Sequence, residues 1–195
     1  GQTCVCTNRI FVQDTIHDVF VEKLVAATAE LKMGNGLDEG VQQGPLVNER
    51  AVEDVDRLVR LSTEAGAQVA LGGARSDLGP CYYQPTVLTG ITPGMAVFRN
   101  EIFGPVAPVM SFSDEAEAVA LANDTEFGLA SYFYTRDIGR VWRVSEALDY
   151  GMVGVNEGII SNEMAPFGGV KASGSGREGS KYGIDDYLEI KYILM

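Results

Sequence analysis

The sequence offers few side chains that can act as nucleophiles or metal ligands. Its three cysteines are Cys4 and Cys6, in Gly1-Gln2-Thr3-Cys4-Val5-Cys6, and a distant Cys81; its single histidine is His17. A thiol reacts as the thiolate, which is favoured where backbone N–H groups or cations surround the sulfur. A Gly-Gln-Thr turn leading into Cys4 can present such N–H groups, so Cys4 is the candidate nucleophile. The competing reading is a small buried hydrophobe, the commoner fate of a free cysteine. A cysteine–histidine dyad fits poorly, because His17 falls in the first turn of an amphipathic helix, where a solvated side chain is expected. A zinc site fits poorly too, because Cys4, Cys6, Cys81 and His17 lack paired ligand spacing, and no metal is expected. A catalytic Cys4 therefore needs its base from a carboxylate or from outside this chain. Cys6 is a possible redox partner. In an extended segment its side chain points away from that of Cys4, so a disulfide needs local rearrangement but makes a reversible off-switch.

These residues sit in an alternating pattern of strands and helices. A strand is expected over Arg9–Gln13, then a helix over Asp14–Lys32 with Ile16, Phe20, Leu24, Ala27 and Leu31 at helical spacing. A second helix runs Asn48–Ala65, with Val52, Val55 and Val59 on one face. Strands follow at Val69–Leu71 and Thr86–Leu88, separated by a polar loop. Beyond a strand at Val106–Phe112, Asp114 and Glu117 form a capping box opening a helix to Asn123. A strand at Leu129–Tyr134, a helix capped by Asp137 and running to Leu148, and a strand at Met152–Asn156 complete the series. This order gives an α/β fold with a largely parallel sheet flanked by helices. The tail differs: from Gly168 the chain is rich in Gly and Ser, then alternates Leu188, Ile190, Tyr192 and Leu194 with Glu189, Lys191 and Ile193. That is a terminal strand free to pair outside its own domain. Gly174-Ser175-Gly176-Arg177-Glu178-Gly179 satisfies the dinucleotide fingerprint literally. No hydrophobic strand precedes it and too little chain follows for an acidic ribose contact, so it reads as a turn and helix start.

Composition narrows the class of partner. The chain has 195 residues, 46% hydrophobic and 22% charged, with a net charge of -12. That balance disfavours nucleic acid and anionic membranes, which reward clustered Lys and Arg. A small anionic substrate is still allowed, because a few local donors outweigh a distant field. No apolar run reaches the roughly 20 residues of a membrane span. The cysteine pattern is not a disulfide framework, so a reducing cytoplasm is the expected setting. The chain begins with Gly1 and its most reactive segment comes first, which suggests a fragment with an upstream part.

Several motifs, in order, resemble one family. Gly1-Gln2-Thr3-Cys4 with Arg9, Glu101-Ile102-Phe103-Gly104-Pro105, Asn156, Pro166-Phe167-Gly168-Gly169-Val170-Lys171 and Ser173-Gly174-Ser175-Gly176-Arg177-Glu178 resemble the motifs of aldehyde dehydrogenases. The resemblance covers essentially the whole chain. The pair Cys4-Val5-Cys6 and the ending Gly179–Tyr192 are most similar to succinate-semialdehyde dehydrogenases, with glutarate-semialdehyde enzymes close behind.

The resemblance implies an NAD- or NADP-dependent oxidation of a small aldehyde through a Cys4 thiohemiacetal and thioester. It implies that Glu101 holds the nicotinamide ribose, Phe103 packs on the nicotinamide ring, and Ser161 and Phe167 contact substrate. It places the main cofactor domain, the water-activating Glu, an oxyanion-binding Asn and the carboxylate-binding arginines upstream of Gly1. It divides the chain into a catalytic domain over residues 1–167 and a terminal turn, helix and oligomerisation strand over 168–195, giving a homodimer or homotetramer. From another class, a thiol redox-sensor module needs only Cys4 and Cys6, and an assembly module needs neither. Joint retention of Cys4, Glu101 and Phe103 disfavours both.

Overall fold

A computed structural model describes residues 1–195. The chain forms two compact units, Gly1–Leu121 and Ala122–Met195. Unit one contains β1 (Ile10–Gln13), α1 (His17–Ala29), α2 (Glu49–Glu64), β2 (Gln68–Leu71), β3 (Thr86–Thr89), α3 (Ala96–Arg99) and β4 (Val106–Phe112). The next helix, α4 (Glu115–Asn123), spans the boundary, and unit two adds β5 (Ala130–Phe133), α5 (Ile138–Ala147) and β6 (Met152–Val155).

The sheet of unit one has the order β1-β4-β3-β2. β1 and β3 run parallel to β4, and only β2 is antiparallel, at one edge. Successive residues of a strand face opposite sides, and here both sides are covered. Leu88, Val106 and Met110 face α2 and α3, in a core with Val52, Val55, Leu58, Val59, Val97 and Phe98. Val12, Val87 and Val109 face the other way, toward Val21, Leu24 and Val25 of α1. The α/β class with a mostly parallel sheet is as the sequence implies. In unit two, β5 and β6 pair in parallel.

Three expected helix starts carry capping side chains, two of them, Asp114 and Asp137, anticipated as caps. The side chain of Asn48 accepts from the Ala51 amide and that of Asp137 from the Arg140 amide. Asp114 accepts from the Glu117 amide, but Glu117 reaches back to the amide and hydroxyl of Ser113, one residue before the expected partner. These bonds hold the Glu117 carboxyl below its ordinary value.

Elsewhere the structure corrects the reading. Helix α1 ends at Ala29 and turns Val21, Leu24 and Val25 inward, leaving Ile16 and Phe20 exposed. Val19, Phe20, Val21, Leu24 and Val25 wrap most of its circumference, so spacing alone does not pick the buried stripe. His17 is half-buried and pairs with Asp18 at 3.0 Å. The glycine-rich segment turns as expected, with positive φ at Gly174, Gly176 and Gly179, but opens no α-helix. Only one-turn 3₁₀ segments at Lys171–Ser173 and Asp185–Tyr187 form. Residues 188–195 form no strand in this single chain and stay exposed. A strand is fixed by ladder bonds to a neighbour, and no edge within the chain supplies them.

Tyr83 is fully buried in the main core, and its hydroxyl meets no protein partner. Burial, and secondarily the charge of Asp56, raise its pKa well above the ordinary tyrosine value; Arg75 opposes them weakly. A folded-state pKa above the unfolded one leaves stability intact below about pH 10 and erodes it as pH rises beyond. Tyr83→Phe is therefore expected to flatten the loss of stability between neutral and strongly alkaline pH, measured by urea unfolding. An unchanged slope contradicts the assignment.

Candidate functional site

The Cys4 segment is a turn rather than the extended run considered from spacing. The Cys6 amide donates to the Thr3 carbonyl at 2.9 Å, which lifts Cys4 onto an exposed corner. Cys4 and Cys6 are free exposed thiols, while Cys81 is half-buried. An exposed sulfur on a turn is open to a reactant, as a packed core cysteine is not.

Two amide side chains fasten this turn at its ends. Before Cys4, Gln2 Oε1 accepts from the Val47 amide at 3.0 Å, in the loop leading to α2. After it, Asn8 makes two bonds across the fold. Its Nδ2 donates to the Asn100 carbonyl at 3.0 Å, and its Oδ1 accepts from the Ile102 amide at 2.8 Å. Arg9 then anchors the start of β1. Its Nη1 donates to the Leu121 carbonyl at 3.0 Å, and its guanidinium lies 4.9 Å from the Phe98 ring centre and 5.4 Å from that of Phe11. Such stacking on aromatic faces suits Arg far better than Lys.

The segment that Asn8 grips carries Glu101 and Phe103. Asn100 closes α3, its backbone N–H and Nδ2 both donating to the Ala96 carbonyl. Ile102 is then drawn into the core while Glu101 on one side and Phe103 on the other face outward. This alternation is completed by a left-handed Phe103, φ 52°. A non-glycine residue there costs roughly 1–2 kcal/mol and needs its surroundings to hold it. Gly104 follows beneath α2, where a Cβ would collide with Cγ2 of Val55; the Gly1 backbone lies against the Gly104 carbonyl. The flanks of the Cys4 turn, Gly1 and Asn8, thus both touch the loop bearing Glu101 and Phe103. An outward carboxylate can accept from both hydroxyls of a ribose, and a ring 40% exposed can pack on a flat heterocycle, so this loop fits a nicotinamide nucleoside.

In unit two, Asn156 has a left-handed backbone, φ 56°. Its Oδ1 accepts from the Thr135 amide and its Nδ2 donates to the Thr135 carbonyl, both at 2.8 Å. That pair extends the β5–β6 ladder past the strand ends and sets where the following loop departs. Ser161 is exposed on this loop. Phe167 is held by two backbone bonds with Glu178, at 2.9 and 2.7 Å. It lines an open cleft of about 810 Å³ with Arg177, Asp186 and Tyr187, of which Ser161 is not a wall.

The anchoring bonds of Gln2 and Asn8 were not anticipated from the sequence. The available signal was two amide residues flanking one cysteine, and their remote partners, 45 and 92 to 94 residues away, have no signature in local spacing.

Comparison with known proteins gives a consistent picture. The model of the aldehyde dehydrogenase family matches residues 1–193. A glutarate-semialdehyde dehydrogenase from Pseudomonas aeruginosa is 57% identical, and a 3-sulfolactaldehyde dehydrogenase from Pseudomonas putida 60% identical, each over all of this chain and 40% of the relative. The crystal structure of succinate-semialdehyde dehydrogenase from Burkholderia pseudomallei superposes with a TM-score of 0.97 at 59% identity, over 99% of this chain and 40% of that one. The chain spans about 40% of the length of the relatives it matches.

Gly104→Ala is expected to destabilise the chain by about 1–3 kcal/mol through overpacking against Val55. Gly44→Ala, where nothing lies within 4 Å, serves as the control. Equal urea midpoints for the two variants contradict the close approach.

Proposed function

This chain belongs to the aldehyde dehydrogenase family, and on that premise we propose that it is the catalytic portion of an NAD- or NADP-dependent enzyme oxidising succinate semialdehyde to succinate. The observation that carries the reading is the exposed Cys4 turn, tied through Asn8 to the loop of Glu101 and Phe103. The Cys4 thiolate attacks the aldehyde carbon, forming a C–S bond while the carbonyl π pair moves to oxygen. The Cys4 amide is the donor this chain offers to that oxyanion, and one pre-organised donor is worth about 3–4 kcal/mol. Glu101 would hold the ribose of the cofactor and Phe103 would pack on its flat ring, which orders the acceptor before reaction. Bound NAD or NADP supplies the two-electron acceptor for hydride. Cys4 retains the acyl group as a thioester until water cleaves it, releasing the carboxylic acid and restoring the thiol.

The semialdehyde assignment rests on a shared feature of the named relatives. Succinate semialdehyde, glutarate semialdehyde and 3-sulfolactaldehyde are all short aldehydes bearing a second, anionic group. On this reading Ser161 donates to the distal carboxylate and Phe167 lines the approach of the aldehyde. Cys6 is the thiol able to trap Cys4 as a disulfide under oxidation. The alternating tail Leu188–Met195 supplies a strand to a second subunit, giving a homodimer or homotetramer.

The complete protein is expected to prefer succinate semialdehyde over butanal in kcat/KM by orders of magnitude, because a site built for a carboxylate is left with unpaired polar groups by the uncharged analogue. The comparison, run with glutarate semialdehyde and with each cofactor, also ranks the chain length read. Equal kcat/KM for butanal removes the semialdehyde assignment, and absence of aldehyde oxidation with either cofactor removes the dehydrogenase reading.

A further inference from the structure

Within that reading, which it presupposes, we propose that Asn8 is a positioning residue that holds Glu101 for the cofactor and couples its placement to the Cys4 turn. The two Asn8 bonds fall on the residues on either side of Glu101, the Asn100 carbonyl and the Ile102 amide. The backbone of Glu101 is therefore gripped from both sides by a side chain only four positions after Cys4. Neither end of the grip is loose. Asn8 is followed by Arg9, which is fixed to Leu121 and stacked on Phe98. Asn100 is closed against Ala96, and Ile102 is 4% exposed. Glu101 itself is exposed, so its own packing does little to restrict it.

The residue type is decided by geometry. The site needs a donor and an acceptor on one short planar group, and an amide supplies both. Aspartate has the same shape but, ionised, offers only acceptors. Asn8→Asp keeps the Ile102 bond, turns the Asn100 bond into a repulsion between two oxygens, and adds a negative charge next to Glu101. A hydroxyl, as in Asn8→Ser, is shorter and cannot serve both partners at once.

The test uses the complete protein that contains this chain, with Asn8→Asp and Asn8→Ser variants. Asn8→Asp is expected to raise the KM for NAD or NADP roughly tenfold, the size of one broken and unreplaced bond. The aldehyde KM and the cofactor-free rate of Cys4 alkylation by iodoacetamide should shift several-fold less than the cofactor KM, because Gln2 still fastens the other end of the Cys4 turn. Asn8→Ser should fall between wild type and Asn8→Asp. Hydrogen exchange should show a faster Ile102 amide in Asn8→Ser. An unchanged cofactor KM overturns the proposal, as does a parallel loss in both KM values and in the alkylation rate, which marks general loosening. Unchanged Ile102 exchange overturns it independently of turnover. A wild-type protein that oxidises no aldehyde, with Ile102 exchange still governed by Asn8, instead places the failure in the dehydrogenase reading.

Discussion

Ile102 shares one apolar core with Val55 and Phe98, and that anchoring constrains everything around it. With Ile102 drawn inward, Glu101 and Phe103 on either side must face out, and the chain must then pass beneath α2 at Gly104. The left-handed Phe103 is the cost of that path. It is held because Ile102 and Gly104 are packed on both sides of it. Packing energy spent in the core thus orders two surface side chains that contribute almost nothing to the core themselves.

The same economy appears around Cys4. A turn of four residues, Thr3 to Cys6, has too little apolar surface to order itself. It borrows rigidity from Gln2 and Asn8, whose partners lie in the loop before α2 and in the loop after α3. Arg9 continues the theme by using its charge on two aromatic faces and a carbonyl. The Cys4 sulfur is exposed, and its supports are partly buried. Such a division suits a site that must admit substrate while keeping its geometry.

What was legible in the sequence was whatever local periodicity or local hydrogen bonding governs. The caps at Asp114 and Asp137, the helix start at Asn48 and the strand Val106–Phe112 follow from residues within a few positions of one another. The stripe of α1 that packs was not legible, because a helix apolar over most of its surface leaves the choice to the sheet. The terminal alternation from Leu188 reads as a strand, yet a strand needs a ladder partner and the tail pairs with no edge of this chain. For the site, the motifs single out Cys4, Glu101 and Phe103 one by one. The clamp that relates them was not legible, because it joins positions more than ninety residues apart.

The central claim is that the Cys4 sulfur carries the substrate through oxidation. The most direct measurement is turnover of succinate semialdehyde by the complete protein with Cys4→Ala, alongside mass analysis of the acid-quenched wild-type Cys4 peptide. The account predicts loss of turnover by several orders of magnitude, and a succinyl thioester on Cys4 rather than on Cys6 or Cys81. Turnover undiminished by the substitution, or an acyl group found on another residue, contradicts it.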